Sequence, residues 1–534
     1  MKMYSFVQST GLFLLVFLML FATSASAQRS DIAVAERVIT PALLQEYINF
    51  LASDSLKGRN TPSPGLDSAA AYIARQFVSF GLKPLNGSFY QDLDFCYINL
   101  GEQHSLKITG AGETRSFSLK NDFVPYDMTG SKSVEADVVF AGYGITAPEF
   151  GYDDYKDVDV KGKIVLILRQ EPGQTDSAGK SFNGRELSDY AGLNVKLERA
   201  IELGAAGILV VSGPLNYNSM RPRGYPWPTL SKTLPRDVLP MRRCDQNPDK
   251  IPMVQVGETF ITGLFGSTDS LRRIQDRIER SMQPASFQFK EYKVQLEVTL
   301  TYSPLGGRNV IGYLQGADPK LNQEAIVIGA HYDHVGFIEK AKTDTDFIFN
   351  GADDNASGTS GVIAVAKAFT SMTEKPRRSV IFIAFAGEEK GLLGSATFVR
   401  KPLWPLDHTV AMLNLDMISR NDPDTLLIIG AKQNPDLVRI IRKKNRSIGF
   451  RLVESKGKRM GGGSDHYNFY RKGIPALFFF TGLHPDYHHV GDNPDRIDPL
   501  KAARVSRLVF LTAWEIAGEK RHYKLIRNKT EEEE

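Results

Sequence analysis

The chain has only two cysteines, Cys96 and Cys244, in 534 residues. A chain of this size does not depend on a disulfide framework built from so few cysteines. An exported protein could join the two, but they lie far apart in the sequence. We therefore expect two free thiols rather than one disulfide.

The chain also has little net charge. Its 65 Lys and Arg residues nearly balance 61 Asp and Glu residues, which leaves a formal net charge of +4, and charges of both signs are interspersed. No basic stripe with interleaved aromatic residues occurs. We therefore expect no nucleic-acid partner.

The apolar run near the start of the chain, residues 11–21, is too short for a comfortable membrane span. It follows the positively charged start Met1-Lys2-Met3 and precedes Ala25-Ser26-Ala27, a small-x-small cleavage site. This pattern is typical of a signal peptide. We predict that residues 1–27 are removed and that the mature protein is exported to the periplasm or the extracellular space, with no stable membrane span. An uncleaved anchor helix is the alternative.

Histidines and acids form five clusters in the second half of the chain. The clusters are residues 329–336 (GAHYDHVG), 350–355 (NGADDN), 386–389 (AGEE), 414–417 (NLDM) and 487–489 (YHH). Most of them end an apolar, strand-like run or lie in the loop after one. Adjacent acids usually mark a solvated turn, but Glu388-Glu389 follows a wholly apolar run, residues 380–386. Carboxylates at the end of a buried strand are costly unless a cation or a hydrogen-bond network meets them.

Neutral imidazole and carboxylate oxygens are ligands that suit zinc. A pair of such ions needs roughly five or six donors, including one carboxylate shared by both. The five clusters supply that number in that mixture. The sequence therefore predicts a site for two metal ions at the ends of successive strands.

The region from Arg308 onward alternates between strand-like and helix-like segments. The predicted strands are 309–313, 325–329, 379–386, 410–415, 426–430 and 476–480, and the predicted helices are 358–370, 392–398, 434–444 and 502–517. This order indicates an α/β fold with a mostly parallel mixed sheet and helices on both faces. Ligands in such sheets bind at the carboxyl ends of the strands, where the clusters fall.

Earlier segments suggest a second module. We predict that residues 28–133 form the N-terminal part of a catalytic domain, beginning with helices at 41–51 and 68–77. Residues 134–262 are predicted to form a smaller β-rich α/β domain without metal ligands. Residues 263–525 return to the catalytic domain, and residues 526–534 form an acidic tail.

The motif set resembles the family of co-catalytic zinc aminopeptidases, which have a zinc exopeptidase-like fold. That family includes secreted leucine aminopeptidases and is related to glutamate carboxypeptidase. The resemblance covers Arg308 to Asp498 closely, and the stretch from Ala141 through Leu209 is similar to a protease-associated domain inserted in such enzymes.

The resemblance implies a role for each matched residue. It implies two zinc ions, replaceable by cobalt or manganese, held by His331, Asp354, Glu389, Asp416 and His488. Asp354 would bridge the ions, Glu388 would be the general base, and Asp333 would hold the imidazole of His331. His489 competes with His488, but the pattern Tyr-His-x-x-x-Asp favours His488. The loop 461–466 is similar to a substrate-side segment, so the residues expected to contact substrate are Ser464, Asp465, His466 and Tyr487.

The implied function is that of an exported two-zinc aminopeptidase acting on peptides. One alternative is a carboxypeptidase specific for acidic residues, which needs basic groups such as Arg420, Arg459 or Arg496 near a substrate carboxylate. Another is a single-zinc transferase similar to glutaminyl cyclase. A third is a non-catalytic ectodomain like that of the transferrin receptor.

Overall fold

The structure is a computed structural model. It describes residues 31–110, 112–174, 182, 186–223, 227, 230, 239–244, 250–338, 346–454 and 463–527. No helix among these residues has the length and apolar character needed to cross a membrane. The predicted signal peptide, most of the predicted acidic tail, Arg459 and residues 461–462 lie outside the described residues.

The helices are numbered here in chain order. They are Pro41–Leu51 (α1), Pro64–Ser79 (α2), Leu193–Glu202 (α3), Glu258–Phe265 (α4), Thr268–Ser281 (α5), Gly358–Ser371 (α6), Leu393–Arg400 (α7), Pro435–Ile448 (α8), His466–Arg471 (α9) and Pro499–Gly518 (α10). Local sequence explains where several of them begin: Thr40 and Ser63 accept a backbone N–H at the starts of α1 and α2, each directly before a proline.

The strands are numbered in the same way. They are Tyr90–Asp92 (β1), Phe95–Gly110 (β2), Glu113–Phe117 (β3), Phe123–Pro125 (β4), Lys132–Phe140 (β5), Thr146–Ala147 (β6), Tyr152–Asp153 (β7), Ile164–Leu168 (β8), Gly207–Val211 (β9), Met241–Arg243 (β10), Met253–Val256 (β11), Phe287–Pro304 (β12), Arg308–Leu314 (β13), Ala325–His331 (β14), Ser379–Phe385 (β15), Thr409–Leu415 (β16), Thr425–Ile429 (β17), Arg451–Glu454 (β18) and Ala476–Phe480 (β19).

The first of two compact units comprises Met1–Leu93 and Leu305–Glu534. Its eight-stranded sheet has the order β1-β13-β15-β14-β16-β19-β17-β18. The four central strands, β15, β14, β16 and β19, are parallel, whereas β1, β13 and β17 pair antiparallel with neighbours. This mostly parallel mixed sheet confirms the predicted fold class.

Helices cover both faces of that sheet because successive residues of a strand point to opposite faces. On one face, the ring of Phe382 in β15 lies 6.4 Å from Phe77 of α2 and 5.9 Å from Phe369 of α6. On the other, Phe385 lies 6.1 Å from Phe469 of α9. All of these rings are buried, so the central strands are apolar along their whole length and become polar only at their ends.

The second unit is Asp94–Pro304. Its nine-stranded sheet has the order β10-β2-β12-β5-β8-β9-β11-β4, with β3 paired to β2. Strands β5, β8, β9 and β11 run parallel, and the long strands β2 and β12 pair antiparallel. Helix α3 packs on one face of the sheet and α5 on the other.

This unit is wider than the predicted domain 134–262. Strand β2 precedes the predicted start, and α5 and β12 follow the predicted end. Both long strands show stretches of alternating burial in the structure. The sequence does not reveal that the two strands pair across more than 170 intervening residues. The compact unit therefore extends about 40 residues beyond the predicted domain at each end.

The prediction of two free thiols is wrong. Cys96 lies in β2, and Cys244 directly follows β10, which pairs antiparallel with β2. The two sulfurs form a disulfide. Two cysteines that are far apart in the sequence can form a disulfide when pairing of the strands brings them close together.

Candidate metal centre

The ends of the four central strands carry the predicted donor residues. His331 is the last residue of β14, and Glu388-Glu389 follow β15 by two residues. Asp416 directly follows β16, and His488 lies in the loop after β19. Asp354 lies in the irregular turn Ala352–Ser357 between β14 and α6. Because these strands are parallel neighbours, their carboxyl ends meet at one edge of the sheet.

One cluster of donors surrounds the Nε2 atom of His331. This nitrogen lies 3.3 Å from Asp354 Oδ1 and 3.3 Å from Asp416 Oδ1. All three side chains are buried. Asp416 is held in place by Ser464, whose hydroxyl donates to Asp416 Oδ2 at 2.7 Å.

A second cluster shares Asp354 with the first. Its Oδ2 atom lies 3.1 Å from His488 Nε2, which is 3.0 Å from Glu389 Oε2. The fourth member is His334, whose Nδ1 lies 2.8 Å from Glu389 Oε1. The structure thus brings all five predicted donors together, with Asp354 between the two clusters.

His334 is the member that sequence reasoning missed. It stands inside the motif GAHYDHVG, three residues after His331, and that spacing was the available signal. His489, the competing choice at the last cluster, is exposed and its Nδ1 contacts the carbonyl oxygen of Tyr487 at 2.7 Å. It therefore lies outside both clusters.

Glu388 lies beside the first cluster, with Oε2 4.0 Å from His331 Nε2. Its backbone N–H donates to Asp333 Oδ1 at 3.1 Å. Asp333 also faces the other ring nitrogen of His331, through its carbonyl oxygen at 3.3 Å and its carboxylate at 3.7 Å. One acid thus positions both the histidine and the segment that carries Glu388.

The turn that carries Asp354 is held by two further residues. Asp492 accepts the backbone N–H groups of Asp353 and Asp354 at 3.0 Å. The fully buried Arg59 donates to the carbonyl oxygens of Asn350 at 2.7 Å and Gly351 at 3.0 Å. Nothing in the turn-rich segment around Arg59 signals this role, because it depends on contacts almost 300 residues away.

Asp353 points away from both clusters. Its Oδ1 accepts the hydroxyl groups of Ser419 at 2.6 Å and Ser357 at 3.1 Å. Its Oδ2 lies 3.5 Å from His484. The choice of Asp354 over Asp353 as the shared donor therefore agrees with the geometry.

The expected substrate residues divide into two groups. Tyr487 lines the cavity above the clusters. Ser464, Asp465 and His466 are fully buried and are not among the residues that line it, so their contact with substrate stays a prediction. This segment leads into α9 and packs inward, so that Ser464 orients a donor; within it, Gly463 lines the cavity.

The cavity has a volume of about 340 Å³. Its polar side is formed by His331, Asp354, Glu388, Glu389, Asp416 and Tyr487, and its apolar side by Met417, Ile429, Phe478, Phe480 and Leu483. No lysine or arginine lines it among the described residues. The cavity therefore combines an acidic floor with an apolar wall.

The buried charges shift one another's pKa values. Burial, together with the nearby carboxylate of Asp416, raises the pKa of Glu388 well above its ordinary value. The carboxylates of Asp354 and Glu389 raise the pKa of His488 to about 10. Although burial opposes it, His331 and His488 lower the pKa of Asp354 well below its usual range. Protonated imidazoles thus balance the negative charge of the carboxylates. A bound cation would balance that charge instead, and the imidazoles would then release their protons.

The donor set fits zinc. Each cluster mixes imidazole nitrogens with carboxylate oxygens, as zinc prefers. Zinc bonds of about 2.0 Å in tetrahedral geometry place donors about 3.3 Å apart, close to the 3.0–3.3 Å between the predicted donors here. Asp416 Oδ1 is buried without a well-aligned hydrogen bond among the described residues, as expected of an oxygen atom that coordinates a metal ion.

Fold and site together define an α/β domain with two adjoining clusters of potential metal ligands at the carboxyl edge of its sheet. Residues 309–513 match the family model for Peptidase family M28. The chain thus carries a Peptidase family M28 domain, and the matched segment contains every donor of both clusters.

Several named proteins are similar to parts or all of this chain. A "Probable leucine aminopeptidase" from Arthroderma otae is 27% identical over 244 residues, which covers 39% of this chain and 64% of the relative. "Aminopeptidase YwaD" from Bacillus subtilis is 28% identical over 230 residues, covering 41% and 47% respectively. A solved aminopeptidase from Aneurinibacillus sp. strain AM-1 is 20% identical, with 92% of this chain and 98% of that chain covered and a TM-score of 0.46. The chain spans less than two thirds of the length of these two curated relatives.

Proposed function

We propose that this protein is an exported two-zinc aminopeptidase that removes N-terminal residues from peptides. The observation that carries the proposal is the pair of donor clusters that share Asp354, with Glu388 beside the first cluster at the floor of a cavity. The relatives named aminopeptidase support the same activity.

His331, Asp354 and Asp416 would hold one ion, and Asp354, Glu389 and His488 the other. Bound zinc lowers the pKa of a water molecule and polarises a substrate carbonyl. Glu388 accepts a proton from the attacking water and later donates it to the departing amine. Asp333 supports this transfer because it fixes the backbone of Glu388.

The cavity favours a substrate with a free amino terminus. Its floor is acidic, so it attracts the ammonium group of a peptide. A carboxypeptidase for acidic residues would need a basic group there. Of the candidates within the described residues, Arg420 pairs with Asp486 at 2.6 Å, Arg496 contacts the same acid at 3.4 Å, and neither lines the cavity. Arg459 lies outside the described residues.

The apolar wall supports a preference for N-terminal residues with apolar side chains. Phe478, Phe480 and Ile429 lie on this wall. Burying a leucine-sized side chain against such a surface contributes about 1.5–3 kcal/mol. A charged N-terminal side chain would lose its hydration without gaining a partner.

The single-zinc transferase and the non-catalytic ectodomain fit the centre less well. A single-zinc transferase does not require the second donor cluster, and a non-catalytic ectodomain does not require donor residues at all. The presence of two donor clusters that share Asp354 therefore favours the two-metal enzyme.

The test combines metal analysis with paired substrates. We expect two zinc ions per chain and hydrolysis of leucine p-nitroanilide, with no hydrolysis of its N-acetylated form. Release of a C-terminal glutamate from a blocked peptide would identify a carboxypeptidase instead. One zinc with cyclisation of N-terminal glutamine would identify the transferase, and a metal-free inert protein would identify the ectodomain.

A matched pair of variants anchors the test. Asp354→Asn should lose metal at both positions, because this residue belongs to both clusters. Asp495→Asn changes an exposed aspartate outside the clusters and should keep both ions.

Export has its own measurement. Amino-terminal sequencing of the mature protein should begin near Gln28. A chain that keeps Met1 and stays in the membrane would contradict this part of the proposal alone.

A further inference from the structure

The two donor clusters are unequal. The first comprises three side chains, His331, Asp354 and Asp416, whereas the second comprises four, His334, Asp354, Glu389 and His488. The additional member is His334. It is buried, and no part of the aminopeptidase proposal above depends on it.

The distances around His334 fit a four-donor shell. Its Nδ1 lies 2.8 Å from Glu389 Oε1 and 3.7 Å from Asp354 Oδ2. His488 Nε2 lies 3.0 Å from Glu389 Oε2 and 3.1 Å from Asp354 Oδ2. These separations involve both oxygens of Glu389, and each lies within about 0.5 Å of the roughly 3.3 Å expected between neighbouring donors of a tetrahedral zinc site.

The surrounding chain fixes His334 in this place. Its backbone N–H donates to the carbonyl oxygen of Arg59 at 3.2 Å. Its ring packs on Gly351, where an added Cβ atom would stand 2.6 Å from two ring carbons of His334. Gly351 also has a φ of +58°, which favours glycine. The site is thus shaped to admit an imidazole that reaches the second cluster.

We propose that His334 is a direct metal donor, so that the second position is closed by four protein side chains while the first keeps an open coordination place. Closed four-donor shells are typical of zinc sites that hold the ion permanently, and three-donor shells of sites where water and substrate bind. The second position should therefore hold its ion more tightly, and water and substrate should bind and leave at the first position. The inference rests on the proposed function only in that both require metal at this centre.

The alternative role for His334 is to hold Glu389 through a hydrogen bond without touching metal. The two roles differ in the number of bound imidazoles. In a cobalt-substituted protein, each cobalt-bound histidine gives a strongly shifted, solvent-exchangeable N–H proton signal. A direct donor gives three such signals, from His331, His334 and His488, and the alternative gives two.

The experiment uses the full chain loaded with cobalt and needs no variant for its first reading. We expect three exchangeable shifted signals, and loss of one in His334→Ala. Zinc affinity at the second position should fall by more than about 100-fold in that variant, beyond the 10–100-fold typical for loss of an outer partner of a ligand. His489→Ala, which removes an exposed neighbouring histidine, should leave the signals and the affinity unchanged.

Two shifted signals in the wild-type protein with two bound ions would overturn the inference while leaving the proposed function intact. A protein that binds no metal would refute the proposed function as well. If His334→Ala fails to fold, the wild-type signal count still decides.

Discussion

Two pairs of adjacent aspartates, one in each unit, show how differently the same sequence feature is used. Asp153-Asp154 lies in the second unit and Asp353-Asp354 in the first. In both pairs the second acid is buried, with 0% of Asp154 and 3% of Asp354 exposed. As pairs of adjacent acids the two look alike, and only the surrounding motif at 350–355 distinguishes the second pair in the sequence.

Asp154 is satisfied by the protein. Its Oδ2 accepts the backbone N–H groups of Tyr143 at 2.9 Å and Ile145 at 3.1 Å, and its Oδ1 accepts the hydroxyl of Tyr152 at 2.8 Å. Burial raises the pKa of this carboxyl to about 7. The acid closes a turn around Gly142, where an added Cβ atom would stand 2.0 Å from Asp154 Oδ1.

The carboxylate of Asp354 instead faces other potential metal ligands. Its two oxygens point at His331 and His488, and each of those histidines also faces a second carboxylate. Burial of an acid therefore does not by itself mark a site. What distinguishes the centre is that buried donors converge on one another rather than on backbone N–H groups.

The largest expected effect concerns the acid at the centre that is not assigned to a metal. Glu388→Gln should lower kcat by about 10²–10⁴-fold, the usual contribution of a general base, and keep both ions. Glu389→Gln should instead lose metal at the second position. Steady-state kinetics and metal analysis of both variants measure this difference. If Glu388→Gln loses an ion and Glu389→Gln keeps both, the two roles are reversed.

The next effect concerns the satisfied acid. Asp154→Ala leaves three buried hydrogen-bond donors without an acceptor, namely the backbone N–H groups of Tyr143 and Ile145 and the hydroxyl of Tyr152. It should therefore lower the free energy of unfolding by roughly 2–4 kcal/mol, measured by urea denaturation. Its metal content should stay unchanged. Asp157→Ala removes an exposed neighbour and should change stability by less than about 0.5 kcal/mol. Metal loss in Asp154→Ala would contradict the separation between the two kinds of buried acid.

Zinc itself should stabilise the unit that carries the centre, and most strongly the segments that contact the ions. At a free zinc concentration 100 times the Kd, binding adds about 2.7 kcal/mol to the stability of the bound state. Hydrogen exchange should show stronger protection of the amides in Ala352–Ser357, while the amides of Tyr143 and Ile145 exchange as before. Asp354→Asn should remove the zinc effect. Equal protection in both places would show that the two acids differ less than their contacts indicate.

Most of the first unit could be predicted because its signals are local. Strands such as Ala325–His331 and Thr409–Leu415 are continuous apolar runs that end in donors, and their parallel order follows from the helices between them. The extent of the second unit depends on the pairing of β2 with β12, which lie far apart in the sequence. The Cys96–Cys244 bond likewise depends on a distant strand pairing, that of β2 with β10.

Within the site, the predictable residues are those that carry a motif. The roles of Arg59 and of Ser464 were missed because each depends on where a distant loop comes to lie. The motif at 329–336 contains His334. The spacing of three residues from His331 does not show that both side chains face one centre, because that depends on the fold.

The smallest expected effect concerns acids that are neither satisfied inside the protein nor part of the centre. Asp486 pairs with Arg420 and, more loosely, with Arg496, whose side chain is 55% exposed. Such an exposed pair contributes about 0–1 kcal/mol, so Arg496→Ala should unfold almost as the wild type does. Its kcat/KM for leucine p-nitroanilide should stay within about twofold, because Arg496 does not line the cavity. The informative measurement adds a blocked peptide that ends in glutamate. A loss of turnover confined to that peptide would mean that Arg496 binds a substrate carboxylate, and a carboxypeptidase would then replace the aminopeptidase as the proposed function.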